Sequence, residues 1–228
     1  MTTITWLGHN AWSIETGGAT ILVDPFLNDS PTAPVKSDGV KADCILLSHG
    51  HGDHLGDTVS IAKRTGATVI TNFEVGEWLK KQGVAADKVV GMNPGGGIDQ
   101  PFGRVKFTIA HHSSSLPDGT YGGVPGGFLL TLEEARVYFA CDTAVFLDMK
   151  LIGAGGLDLA VLPIGDLYTM GPADSIDAVK LLSPTRVAPC HYNTWPPIAQ
   201  DAAAWADGIR AHTGAEPIVI QPGEKIML

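Results

Sequence analysis

Positive charge is scarce in this chain. Its 228 residues carry 15 Lys and Arg against 24 Asp and Glu, a net charge of −9 with the eight His neutral. An acidic surface argues against general binding to nucleic acid or to anionic membranes, both of which need basic patches. A small anionic substrate stays open, because a bound metal can dominate its local field. Cysteine is scarce too. Cys44, Cys141 and Cys190 make an odd count inside apolar, strand-like runs. That argues against a disulfide framework and fits buried, reduced thiols in a cytoplasmic protein. No stretch approaches the ~20 apolar residues of a membrane span. The start, Met1-Thr2-Thr3-Ile4, lacks a basic region followed by an apolar one, so we expect no signal peptide. Heptads, low-complexity tracts and a linker long enough to split the chain are also missing. With 44% hydrophobic content, we expect one domain, residues 1–228, built around a sizeable core.

Short apolar segments dominate what is there. Ile4 to Leu7, Ala11 to Ile14 and Thr20 to Val23 read as strands, with Gly17-Gly18 as a hairpin turn. Cys44 to Leu47 is a buried strand. Asp57 to Arg64 and Glu74 to Gln82 read as helices, closed by Gly66 and Gly83. Val69-Ile70, Val89-Val90 and Val105 to Ala110 are strands. Phe128 to Leu132 and Val137 to Ala140 form a second hairpin. Leu159 to Pro163 is a continuous apolar strand of the fully buried kind. Pro172 opens a helix through Leu182, Val187-Ala188 is a strand, and Ile198 to His212 is mainly helical. Ile218 to Ile220 and Lys225 to Leu228 close the chain as strands. The glycine runs at 95–97, 122–123 and 126–127 lack a strand–glycine–helix context and read as turns or a mobile rim. In each half, hairpin strands come first and strand–helix units follow, which hints at an internal duplication. The expected fold is a four-layer α/β sandwich, two mixed sheets with helices outside.

One run carries the chemistry: Ser48-His49-Gly50-His51-Gly52-Asp53-His54. It places three imidazoles and a carboxylate directly after a buried strand. These donors suit zinc, iron and manganese, and the interleaved glycines free the backbone to turn short side chains toward one point. Further candidate ligands recur where apolar strands stop: His111-His112, Asp142 and His191. Their convergence on one sheet edge would make a two-metal site.

The order His-x-His-x-Asp-His, then His, Asp and His, resembles the metallo-β-lactamase superfamily across nearly the whole chain. Trp6-Leu7-Gly8-His9, His112-Ser113-Ser114, Pro163-Ile164-Gly165-Asp166, Thr169-Met170-Gly171-Pro172 and Cys190-His191-Tyr192-Asn193-Thr194-Trp195-Pro196 look like its small bacterial and archaeal metal-dependent hydrolases. That group is similar to ascorbate-6-phosphate lactonases. The resemblance implies the αββα fold and two divalent ions, zinc first with manganese or iron as alternatives. It implies His49, His51 and His112 on one ion, Asp53, His54 and His191 on the other, and Asp142 bridging. Because adjacent strand residues face opposite ways, only one of His111 and His112 should point at the metals. The resemblance places the ligand histidine just before Ser-Ser, which selects His112.

His9 is either a turn histidine or, as the resemblance suggests, a contact near the metals. Asp24 either orients a ligand histidine or is part of an Asp-Pro turn. His212 reads as surface. Trp195, Tyr192 and Tyr168 line the pocket or pack in the core. The expected activity is hydrolysis of a small ester, lactone or related bond by a metal-bridging hydroxide, with Asp53 and His9 as catalytic candidates. The alternatives are a phosphodiesterase or nuclease of the same superfamily and a metal-binding protein without turnover. A homo-oligomer is left open.

Overall fold

Two seven-stranded sheets stack face to face in the computed structural model, which describes residues 1–228. The first sheet holds β1 (Thr3–Trp6), β2 (Trp12–Thr16), β3 (Ala19–Val23), β4 (Cys44–Leu46), β5 (Thr68–Asn72) and β6 (Val89–Met92) in chain order. The second holds β7 (Gly97–Gln100), β8 (Gly103–Ile109), β9 (Gly126–Leu132), β10 (Arg136–Phe139), β11 (Leu159–Pro163), β12 (Arg186–Cys190) and β13 (Glu216–Pro217). The last strand, β14 (Lys225–Met227), returns to pair with β1. The helices are α1 (Gly52–Leu55), α2 (Thr58–Thr65), α3 (Phe73–Lys81), α4 (Met149–Gly153), α5 (Pro172–Leu182) and α6 (Ala202–His212).

Period-2 alternation explains the layers. Ile4, Trp12, Ile14, Ile21, Val23, Cys44 and Leu46 share one buried core with Val105, Phe107, Phe128, Leu130, Val137 and Phe139 of the second sheet. The intervening Leu22, Ile45, Leu47 and Val69 form a separate buried cluster with Ile61 and Ala62 of α2 and Val75 and Leu79 of α3. On the far side, α5 and α6 are tied where Trp205 Nε1–H donates to Ser175 Oγ over 2.7 Å. The result is the expected αββα sandwich of two mixed sheets.

Strand direction gathers the ends that matter. β3, β4, β5 and β6 run parallel, as do β10, β11, β12 and β13. The antiparallel hairpins give β1 and β8 the same sense as their parallel neighbours. The C-terminal ends of β1, β3, β4, β8, β10 and β12 therefore reach one edge. There the sheets are pinned by His191 N–H donating to the His9 carbonyl (3.0 Å) and Gly126 N–H to the Ser48 carbonyl (3.2 Å).

Three expectations need correction. Ile218 to Ile220 is not a strand: the pairing beside β12 is made by Glu216–Pro217. Gly97, Gly126 and Gly127 lie inside strands β7 and β9 rather than in turns. Gly127 serves close approach, since a Cβ there would crowd the carbonyl oxygens of Phe139 and Ala140. Finally, β8 stops at Ile109, so strand alternation does not govern His111 and His112.

Candidate metal centre

Four strands end at this edge with the chain turning through the left-handed region. His9 (φ 49°), Asp24 (φ 41°), Cys141 (φ 52°) and His191 (φ 53°) all adopt it without being glycine. Such residues carry backbone strain and cluster at functional sites. Here the turn follows β1, β3, β10 and β12 in each case and brings His9, Asp24, Asp142 and His191 together.

Eight side chains meet in that space. His49 Nε2 lies 3.0 Å from His51 Nδ1, and the His112 ring is 5.1 Å from both rings. His54 Nε2 and His191 Nε2 lie 3.2 and 3.1 Å from Asp142 Oδ2, and each is 3.9 Å from Asp53 Oδ2. His112 Nε2 is 3.5 Å from Asp142 Oδ2. His9 Nε2 is 3.2 Å from Asp53 Oδ2. His49, His51 and His112 form one group whose donor atoms could hold a metal ion, and His9, Asp53, His54 and His191 form another. His111 stays outside, exposed, with its ring edge-on to Phe146 at 5.1 Å. His212 is on the surface.

A network beneath the candidate ligands fixes their orientation. Asp24 is fully buried. It accepts hydrogen bonds from His54 Nδ1–H (2.7 Å), Ser48 N–H (2.7 Å), Ser48 Oγ–H (2.6 Å) and Asn10 Nδ2–H (2.8 Å). With the Ser48 hydroxyl proton committed to Asp24, its oxygen accepts from His49 Nδ1–H over 2.9 Å. One carboxylate thus orients two imidazoles so that Nδ1 faces the network and Nε2 faces the candidate metal centre, as ligating histidines require. Asp53 can only accept, so His9 must donate Nε2–H to it. His9 Nδ1 then accepts from the Thr194 hydroxyl at 2.7 Å. Ser48, Asn10 and Thr194 escaped the reading of the sequence, though Ser48 abuts the histidine run and Thr194 lies within the Cys190–Pro196 motif.

Electrostatics follows from burial and neighbours. Burial, helped by His191, lowers the His9 pKa to about 4. Burial also holds His49 well below the ordinary histidine range. For His54, burial works against charge, but Asp142 and Asp24 outweigh it and raise the pKa well above normal. Burial opposes ionisation of Asp142 as well, yet His191 and His54 hold it well below the usual carboxylate range.

The donor set fits a divalent cation. It consists only of imidazole nitrogen and carboxylate oxygen, the ligand types of zinc and its neighbours. His54 Nε2, His191 Nε2 and Asp142 Oδ1 are buried and make no aligned hydrogen bond, although both nitrogens lie within ion-pair distance of Asp142 Oδ2. Buried polar atoms in that condition call for an explanation such as an ion.

Comparison with known proteins agrees. The sequence model of the beta-lactamase superfamily domain matches residues 19–192. The chain belongs to this superfamily, among its metal-dependent hydrolases. A metal-dependent hydrolase of Thermus thermophilus is 47% identical over 228 residues, covering 100% of each chain. One from Bacillus cereus is 47% identical over 231 residues, covering 99% of each. Among solved structures, a metallo hydrolase from the archaeon Ignicoccus hospitalis superposes with a TM-score of 0.89 at 33% identity, over 99% of this chain and 98% of that one. Within the superfamily frame, the aromatic expectations separate. Tyr192 is buried and stacks on Trp6 at 5.5 Å, whereas Trp195 and Tyr168 are exposed.

Proposed function

We propose that this superfamily member hydrolyses a small ester, lactone or related bond with two divalent ions, zinc first and manganese or iron as alternatives. His49, His51 and His112 would hold one ion, Asp53, His54 and His191 the other, with Asp142 between them. The observation that carries this reading is the convergence of His54 Nε2 and His191 Nε2 on Asp142 at the meeting point of both sheets, with Asp142 Oδ1 buried and without a hydrogen-bond partner. A metal pair bound there supplies Lewis acidity and brings the pKa of water from 15.7 to about 7.

The chain's own residues do the rest. Asp24 and Ser48 hold His49 and His54 in the tautomer that presents Nε2. His9, neutral at pH 7, anchors Asp53 through a single N–H. Asp53 is the one carboxylate of the cluster with substantial solvent exposure, at 30%, so the site opens on its side and a substrate enters past it. His9 and Asp53 are accordingly the residues nearest any proton that moves. Both sheets supply donors, so residues 1–228 act as one catalytic unit in this reading. A reducing cytosol suits its three unpaired buried thiols.

Metal analysis of purified protein, joined to a hydrolase panel, tests the proposal. We expect two ions per chain, and loss of both metal and turnover in His51→Ala and Asp142→Ala. Full turnover by a metal-stripped sample would refute it. Bound metal with no turnover of any ester, lactone or phosphodiester would favour the metal-binding alternative.

A further inference from the structure

The loops around the metal centre contain no lysine or arginine. They are residues 7–11, 24–35, 47–57, 110–125, 140–148, 164–171 and 191–201, and all fifteen cationic side chains of the protein fall elsewhere. Lys36, the first cation after the 24–35 loop, is tied back to the Asn28 carbonyl by its Nζ at 2.8 Å. The acidic side chains are not excluded in the same way: Asp57, Asp118, Asp148, Asp166 and Asp201 all fall within these loops. A phosphate or carboxylate on the substrate, away from the bond being cut, would meet no lysine or arginine from these loops. Sites that recognise such groups normally supply arginine or lysine.

What the loops do present is apolar. Tyr121, Val124, Leu167, Tyr168 and Trp195 are all exposed there. Trp195 stands 5.0 Å from the His9 ring and 6.0 Å from Phe26. The 164–171 loop adjoins His191, since a Cβ on Gly165 would crowd the His191 carbonyl. Tyr121 and Val124 are held on the same side. The Gly122 and Val124 carbonyls accept from Asn72 Nδ2 at 2.7 and 3.2 Å, and Gly50 N–H donates to Ser114 Oγ at 3.1 Å. Exposed apolar groups on the loops that surround a site can form a ligand-binding rim.

We propose that the substrate is an uncharged ester or lactone with an apolar flank, and that Trp195 together with the Leu167-Tyr168 loop seats this flank. The inference rests on the hydrolase reading and goes beyond it by excluding phosphorylated and carboxylated substrates.

Metal-loaded full-length protein is assayed on p-nitrophenyl acetate, butyrate and hexanoate, on the anionic mono-p-nitrophenyl succinate, and on bis-p-nitrophenyl phosphate. We expect kcat/KM to rise roughly fourfold per methylene over the first few carbons. The neutral butyrate should exceed the anionic succinate by about tenfold or more. Trp195→Ala should flatten the chain-length dependence through KM, and Leu167→Lys with Tyr168→Lys should narrow the gap between neutral and anionic esters. A flat chain-length series, or equal or faster turnover of the charged substrates, overturns the inference and leaves the hydrolase reading intact. Metal-loaded protein that cleaves none of the five sinks both.

Discussion

At the scale of single residues, Asp24 supports more of the centre than any ligand does. Its four accepted hydrogen bonds orient His54 directly and His49 through Ser48. Asparagine at this position would turn an amide N–H toward donors and leave at least one of them unpaired in a buried site. Asp24→Asn should weaken metal binding by roughly 10–100-fold, as read by competition with a chromogenic chelator. Unchanged affinity would show that the ligands hold their tautomers without it. The sequence left Asp24 undecided because Asp-Pro is also an ordinary turn, and nothing in local spacing reveals that the chain returns to place His54 2.7 Å away. The three thiols were more legible, since each sits in an apolar run. Burial pushes the Cys44 pKa up to about 12 and holds Cys141 and Cys190 well above the usual thiol range. The thiolate is the reactive form. A thiol reagent at pH 8 should therefore leave the folded protein unmodified and label all three cysteines after unfolding. One fast-reacting equivalent in the native state would contradict this.

At the scale of elements, periodicity was readable and punctuation was not. Cys44 and Leu46 face one core while Ile45 and Leu47 face the other, and this alternation follows directly from their order in the chain. Helices α1 and α4 span Gly52–Leu55 and Met149–Gly153, too short to show a helical period. Gly126 and Gly127 read as turn residues because glycine signals permissive backbone. In β9 their value is the missing side chain, which lets Phe107 and the carbonyls of Thr108 and Phe139 come close. Gly165, just after β11, makes the same kind of contact at the metal centre. A Cβ there would collide with the His191 carbonyl and stand 3.4 Å from its Nδ1. Gly165→Ala should cost roughly 1–3 kcal/mol of stability and loosen metal binding, because the end of β12 must move to make room. Urea unfolding of metal-free and metal-loaded protein separates the two effects. An equal shift in both forms would mean that the strain does not reach His191.

At the scale of the whole molecule, each sheet runs from antiparallel strands into parallel ones, β1 to β3 before β4 to β6 and β7 to β10 before β11 to β13. This is the half-by-half order that the sequence hinted at. The proposed ligands divide the same way. His49, His51, Asp53 and His54 follow β4 of the first sheet, whereas His112, Asp142 and His191 follow β8, β10 and β12 of the second. Cations held by all seven would clamp the two sheets at one edge, beyond what the shared apolar core already provides. Without them, buried acceptors such as Asp142 Oδ1 lack any partner. An unfolded chain cannot assemble donors spread from position 49 to position 191, so metal binds the folded state preferentially. A ligand at a hundred times its Kd then contributes about 2.7 kcal/mol, which for a chain of this length raises Tm by roughly 5–10 °C. Chelation followed by zinc titration in a calorimeter measures the difference. The shift should vanish in Asp142→Ala, which removes the carboxylate proposed to lie between the two ions. Identical Tm values for stripped and loaded wild-type protein would mean that the two sheets do not share a cation at this edge.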